Sequence, residues 1–518
     1  MSDYSNKLIF GKDTSLGIVS IEHKGDLLIA YVQDENGIVN EYVDDTNKFW
    51  LLTDHSVSSK MERLAGDQHY KYIGKFSNQE ERDNVVKILK KEQVDFYRIF
   101  DPKEQSLVYN GMTYYKGLQP KEVSILSFDI EATTLVHSAE SKVLIISNTF
   151  RDSKGNLTRK MFCYDDYENE GEMLRDWCSW VRKMDPSIVC GHNIYGYDFQ
   201  YLAYLARTNG VSLNLGRDGS EIKFDMWESS KRVDGTQDIE YYNARIFGRE
   251  IVDTMFLSIT YDVGRNFQSY GLKQIIKQLG MEKEGRTFID ASQIRNLYKI
   301  PEKWKLIKQY AEEDADDSLK LFDVMAPSYF YVCQSVSKSF QQIINSATGS
   351  QINNVMVRSY LQDGLAVAKT SPINPIQGGI SFAVPGIYKN LFKIDIKSCY
   401  PSQILRFKLH DKDKDPKANF YEMVKYFTYQ RFEYKKKFKE TGNQYWKDLD
   451  AAAKVFINSA YGACTTPGLN YNCEAVGAKI TKESRAVIDL ALQWASGKKS
   501  DYWFEKFYTA TGKSNEST

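Results

Sequence analysis

The sequence has no net charge with which to declare a partner. Its 68 Lys and Arg balance 68 Asp and Glu over 518 residues, so whole-chain electrostatics give no argument for a polyanion, although local basic surfaces stay open. No run of roughly 18 apolar residues occurs that could span a bilayer. The opening Met1-Ser2-Asp3-Tyr4-Ser5-Asn6-Lys7 also lacks an apolar signal core. Neither membrane insertion nor secretion is expected. Cysteine is sparse: Cys163, Cys178, Cys190, Cys333, Cys399, Cys464 and Cys473 are odd in number, scattered and free of any C-x-x-C pair, which predicts reduced thiols in a cytosolic protein and no zinc site. Internal repeats and low-complexity tracts are absent. Gly512-Lys513-Ser514 imitates the end of a phosphate-binding loop, but the glycine required five residues earlier is Phe507, which excludes that motif. What is present is a hydrophobic fraction of 42% and length enough for about three or four domains.

The first ~115 residues alternate short β-rich runs such as Leu27-Leu28-Ile29-Ala30-Tyr31-Val32 with polar turns, then carry a helical stretch through Asn84 to Leu89. From Val123 buried strands alternate with longer helices, the pattern of a sheet with helices on its faces. Between Thr370 and Lys389 the cluster Pro372, Pro375, Gly378, Gly379, Pro385 and Gly386 breaks regular structure and suggests a boundary. Beyond it a strand is expected at Leu391 to Ile396, then a charged stretch His410 to Lys417, then helices to about Trp494.

Three pieces of the middle region carry carboxylates. In Ser124-Ile125-Leu126-Ser127-Phe128-Asp129-Ile130-Glu131, period-two alternation puts Asp129 and Glu131 on one face of a strand, opposite Phe128 and Ile130. Such a pair repels itself yet suits hard divalent cations. Gly191-His192-Asn193-Ile194-Tyr195-Gly196-Tyr197-Asp198 follows the apolar strand Ser187-Ile188-Val189-Cys190 and precedes an apolar helix. Asp198 at that junction can reach a site above the strand ends or serve as a helix N-cap, and His192 reads as a structural residue rather than a ligand. In Tyr310-Ala311-Glu312-Glu313-Asp314-Ala315-Asp316, a spacing of four puts Tyr310 and Asp314 on one helix face. Tyr310 can there orient a water while Asp314 holds a metal, or the run, with Asp317, is a solvated acidic face.

A second group lies downstream. Leu391-Phe392-Lys393-Ile394-Asp395-Ile396 alternates so that Asp395 faces away from a core, and Ser398-Cys399-Tyr400-Pro401-Ser402 puts a proline where a helix can begin, with free backbone N–H groups for phosphate oxygens. Lys454, Asn458 and Tyr461 share one helix face ahead of Gly462, and Arg431 and Lys435 share another. Aligned cations suit a triphosphate. The blander readings are a strand-turn-helix with a surface aspartate and a solvated basic face, the latter kept open by Lys436, Lys437 and Lys439.

Taken in order, the three carboxylate pieces resemble the Exo I, Exo II and Exo III motifs of DnaQ-like proofreading nucleases with a ribonuclease H-like fold. Asp253 and Ser269-Tyr270-Gly271-Leu272-Lys273 also fit that family. Asp395-Ile396-Lys397-Ser398-Cys399-Tyr400-Pro401-Ser402 looks like motif A, and Lys454-Val455-Phe456-Ile457-Asn458-Ser459-Ala460-Tyr461-Gly462 like motif B, of family B DNA polymerases. Cys399 stands where leucine is usual, and Ile376-Gln377-Gly378-Gly379 resembles the family's Y-x-G-G segment with isoleucine for tyrosine. The resemblance implies that Asp129, Glu131, Asp198 and Asp314 bind two divalent metals, with Tyr310 positioning the attacking water. It also implies that Asp395 is a palm metal ligand, that the backbone around Ser398 and Cys399 meets nucleotide phosphates, that Tyr400 gates the ribose 2′-hydroxyl, and that Arg431, Lys435 and Lys454 bind the triphosphate beside Asn458. Mg²⁺, two per site, is the expected cofactor, with Mn²⁺ as the alternative.

The expected architecture is α/β and α+β, multidomain: an N-terminal domain (1–115), a 3′→5′ exonuclease domain (116–345), a connecting segment (346–388), palm with motif A (389–410), fingers with motif B (411–463) and partial palm (464–518). Nucleotidyl transfer needs two metals, and one palm aspartate is a poor cage for both. The family's motif C, Asp-Thr-Asp-Ser, does not occur, and 56 residues follow Gly462. The resemblance therefore implies a polymerase component completed by a second polypeptide carrying motif C and thumb, or else a shortened product. Primer-template DNA and deoxynucleoside triphosphates are its expected substrates, and a sliding clamp and other replisome proteins its expected partners. The arrangement is closest to phage replicative enzymes, which implies a phage-encoded protein in host cytoplasm. The competing readings are a stand-alone 3′→5′ exonuclease with a non-catalytic DNA-binding palm remnant, and a DNA-binding or assembly subunit with both sites idle.

Overall fold

Alternation of Ser127, Asp129 and Glu131 with Phe128 and Ile130 alone would fit a sheet with one solvated face, but in the computed structural model of the chain the strand Ile125–Ala132 is covered on both faces. The structure describes residues 3–233, 237–380, 386–391, 393, 395–499, 501–503 and 505. Gly512-Lys513-Ser514 lies outside them. The chain divides into two compact units, one drawn from 1–50, 75–88 and 98–347, the other from 51–74, 89–97 and 348–518. Stretches 51–74 and 89–97, which the sequence grouped with the N-terminal domain, thus belong to the second unit. The whole is a mixed α/β, multidomain fold.

The first unit opens on an antiparallel three-stranded sheet, Ile18–Lys24, Leu27–Gln33 and Val39–Asp44. Its centre is a five-stranded mixed sheet of β1 (Ile125–Ala132), β2 (Val143–Arg151), β3 (Leu157–Cys163), β4 (Ile188–Gly191) and β5 (Glu250–Asp253), in the order β3-β2-β1-β4-β5. The pairs β3/β2 and β2/β1 are antiparallel, and β1/β4 and β4/β5 are parallel. All nine residues of β2 are buried, as a strand with helices on both faces must be. On the Phe128 face lie α1 (Glu170–Met184) and α2 (Asp198–Thr208), whose Trp177 and Phe199 rings meet Phe128 at 5.6 and 5.4 Å between centroids. After β5 come α3 (Thr254–Tyr261), α4 (Leu272–Gln278) and α5 (Pro301–Cys333). Helix α5 covers the other face, and Ser127 Oγ donates to its Ala315 carbonyl at 2.8 Å. Opposite faces of one strand are thus tied to different helices, and the acids of β1 fall on the α5 side.

At Gly191, the last residue of β4, an added Cβ would lie 2.5 Å from the Phe128 carbonyl oxygen. Only glycine lets the loop that follows leave the sheet so close to β1.

The second unit is mainly helical: α6 (Thr348–Gln362), α7 (Cys399–Phe407), α8 (Asn419–Thr441), α9 (Gln444–Thr465) and α10 (Glu474–Ser496). Helices α8 and α9 form an antiparallel pair held by the stacked rings of Phe427 and Phe456, 4.3 Å apart. Of the strand foreseen at Leu391 to Ile396, Phe392 and Ile394 lie outside the described residues, and Leu391, Lys393, Asp395 and Ile396 are in no strand. The helix that carries Lys454, Asn458 and Tyr461 runs through Gly462 to Thr465.

All seven cysteines are free, and only Cys399 and Cys473 are less than fully buried. No described helix is long and apolar enough to cross a membrane.

Candidate metal-dependent nuclease site

The strand period and the helix period converge on one point. Asp129 and Glu131 leave β1 toward α5, and Asp314, midway along α5, meets them, so that one carboxylate oxygen from each lies within 4.8 Å of the others. Glu131 and Asp314 are each 6% exposed. Among the described residues neither Asp129 nor Glu131 receives a hydrogen bond. Buried carboxylates without donors and with like charges beside them are held as anions only by a cation, and an all-oxygen set suits Mg²⁺ or Mn²⁺ rather than a soft metal. The residues present therefore fit a divalent ion.

The electrostatics agree. Burial, then the charges of Glu131, Asp198 and Asp314, pushes the Asp129 carboxyl well above the usual range. Burial and Asp314 do the same to Glu131. Asp314 is raised by burial and opposed by Lys273 and Arg286. Asp198 is pushed up to about 8, chiefly by burial.

Asp198 stands just behind the trio. It is the first residue of α2, whose N-cap is Tyr197 with no side-chain cap, so the N-cap alternative does not describe it. Its carboxylate instead accepts the Ile130 N–H of β1 at 3.1 Å. The capping role belongs to Asp253, at the end of β5, which accepts the N–H groups of Asn193 (2.9 Å), Tyr195 (3.2 Å) and Met255 (2.9 Å). Burial pushes Asp253 up to about 6, and those N–H groups oppose it. His192 bridges Thr254 Oγ1 (3.0 Å) and the Tyr270 carbonyl (2.8 Å), and burial holds its pKa down at about 4. It is a structural residue.

Tyr310 is buried one turn before Asp314. Its hydroxyl touches Lys273 Nζ, which also lies 4.2 Å from the ring centroid and 3.9 Å from Asp314. Burial, then Asp314, raises the phenol. Lys273 was given no chemistry by its sequence context, and Arg286, which contacts Asp314 and bonds Asp317 at 2.7 Å, was not singled out at all. A lone basic residue in a helix or loop carries no spacing signal. The neighbouring acids do not form a solvated face: Asp316 bonds Thr149 (2.6 Å) and Arg159, Asp317 bonds Arg286 and Lys320, and Glu313 accepts the Thr287 N–H.

In the second unit the structure brings together part of the expected nucleotide site. Ser398, in the left-handed region at φ 49°, precedes α7, and Pro401 sits in the first turn. Tyr400 packs on Tyr461 with ring centroids 5.1 Å apart. Arg431 bonds Asp450 at 2.8 Å and reaches Ser398 Oγ at 3.4 Å, so it is already paired rather than poised as a free cation. Cys399 and Lys435 are partly buried, while Lys454 and Asn458 are exposed. Asp395 is exposed and joins no metal-type cluster among the described residues.

Residues 103–275 match the family model described as "DNA polymerase family B, exonuclease domain". The DNA polymerase of Thermococcus gorgonarius is 24% identical over 441 residues, covering 77% of this chain and 54% of the relative. DNA polymerase 1 of Pyrococcus abyssi is 24% identical over 425 residues, covering 74% of this chain and 52% of its own length. The chain thus spans about half the length of the curated relatives it matches. Among solved structures, the family B DNA polymerase of the hyperthermophilic archaeon Pyrobaculum calidifontis aligns over 92% of this chain and 71% of its own, with a TM-score of 0.73 and 16% identity. The chain is thus similar in sequence to archaeal DNA polymerases over about half their length, contains a segment that matches the family B exonuclease domain, and shares the fold of a family B DNA polymerase.

Proposed function

We propose that the first unit removes nucleotides from the 3′ end of DNA by metal-dependent hydrolysis, and that the second is the nucleotide-binding part of a template-directed DNA polymerase. The observation that carries the first half is the trio Asp129, Glu131 and Asp314, within 4.8 Å of one another, with Glu131 and Asp314 buried and no donor on Asp129 or Glu131 among the described residues. Asp129, Glu131, Asp198 and Asp314 would hold two Mg²⁺, or Mn²⁺, ions, which supply the charge that activates a water and stabilises the scissile phosphate. Tyr310 orients that water from one turn of α5 away, and Lys273, in contact with its hydroxyl, keeps the phenol fixed. A cavity of about 600 Å³ lined by His192, Asn193, Phe267, Gln268 and Tyr270 offers aromatic faces and amides to an unpaired strand.

For the second half, Asp395 would bind the palm metal. The Ser398 and Cys399 backbone would meet phosphates, Tyr400 would exclude a 2′-hydroxyl, and Arg431, Lys435 and Lys454 would grip the triphosphate beside Asn458. Arg431 must leave Asp450 to do so. Completion by a second polypeptide that brings motif C and thumb belongs to this proposal, because one palm aspartate is a poor cage for two metals. A sliding clamp, other replisome proteins and a phage origin belong to the same proposal, on the strength of the motif arrangement. The exposure of Asp395 favours a second reading, a stand-alone exonuclease whose palm remnant only binds DNA.

The test is an end-labelled primer-template incubated with the chain, Mg²⁺ and all four deoxynucleotides. Shortening that Asp129→Ala with Glu131→Ala abolishes is expected. An unchanged primer would refute the nuclease, and extension by the chain alone would refute the need for motif C.

A further inference from the structure

The acids flanking Asp314 have a task that their sequence hides. Glu313 accepts the Thr287 N–H at 2.8 Å, and Asp317 accepts Arg286 Nε at 2.7 Å and Lys320 Nζ at 2.7 Å. These bonds lash the loop before Thr287 to α5. Gly285, at φ +74°, turns the chain immediately ahead of Arg286 in a conformation that other residues rarely adopt. The Arg286 side chain is 2% exposed and puts its second arm on Asp314 Oδ1. A guanidinium is a rigid planar fork, so an arm fixed on Asp317 fixes the other on Asp314.

Resting on the nuclease reading above, we propose that Arg286 is a positioning residue, which, anchored on Asp317, holds the Asp314 carboxylate in the orientation that lets it share a divalent cation with Asp129 and Glu131. Its positive charge opposes the incoming cation, but Asp317 neutralises that charge, and the orientation effect prevails. Partners of metal ligands commonly change metal affinity by about 10- to 100-fold when removed.

The experiment is direct Mn²⁺ binding by electron paramagnetic resonance on the full chain, with no substrate present. Arg286→Gln and Asp317→Asn are each expected to weaken binding by about tenfold or more, and the double variant no further than Arg286→Gln alone, since both cut one linkage. Arg286→Lys, which keeps the charge but not the fork, should bind as weakly as Arg286→Gln. Unchanged or tighter binding in Arg286→Gln would overturn the proposal, as would full additivity in the double variant. Near-ultraviolet circular dichroism of Asp317→Asn, which leaves the Arg286 charge in place, checks that the fold survives. If the parent chain shows no Mn²⁺ site sensitive to Asp129→Ala with Glu131→Ala, the nuclease reading fails rather than the clamp.

Discussion

Asp198→Asn should make the metal-free protein more stable while removing a proposed metal ligand. The carboxyl is 2% exposed and burial pushes it up to about 8 from the ordinary 3.8. The folded state therefore keeps a proton that the unfolded chain releases between those two values. Stability conferred by that proton is complete below about pH 4 and falls as pH rises toward 8, at up to about 1.4 kcal/mol per pH unit. Asparagine keeps the oxygen that accepts the Ile130 N–H and carries no charge, so it escapes this loss. The full interval would give about 6 kcal/mol. Relaxation around a buried carboxylate reduces this, and about 2 to 3 kcal/mol at pH 8 is expected. Thermal melts in a chelator, at pH 4, 6 and 8, should show parent and variant together at pH 4 and the variant ahead at pH 8. Millimolar Mg²⁺ should then raise the parent more than the variant, because only an intact site gains by mass action. Equal pH dependence, or a variant less stable at pH 8, would refute the electrostatic argument.

The two sites should separate by mutation. Asp129→Ala with Glu131→Ala is expected to abolish primer shortening and spare any synthesis restored by a second polypeptide, and Asp395→Ala to do the reverse, both read on labelled primer. Gly191→Ala drives a Cβ to within 2.5 Å of the Phe128 oxygen. It should destabilise the first unit by about 1–3 kcal/mol and lower the shortening rate, measurable by melting and single-turnover cleavage.

The carboxylate site was legible because each piece lay on a regular element. Period two on β1 put Asp129 beside Glu131, and a spacing of four on α5 put Tyr310 beside Asp314. What pairs β1 with α5 is tertiary, and so are the partners of the surplus acids: nothing in the order of residues says that Glu313 and Asp317 face a loop about 30 residues earlier instead of water. Asp198 and Asp253 were distinguishable only once the donors around each were visible. At Leu391 to Ile396 alternation alone was a weaker guide, because a strand is a property of two paired segments and alternation describes one.

Asp253 and the Asp129–Glu131 pair share one neighbourhood, yet one is saturated with backbone donors and the other has none among the described residues. The difference governs how each can change over generations. Replacing Asp253 would strand three N–H groups and damage the fold, so such a change is purged with the protein. Replacing Asp129 or Glu131 strands no donor among the described residues, so a lineage can lose the proposed nuclease in a single step while retaining the fold.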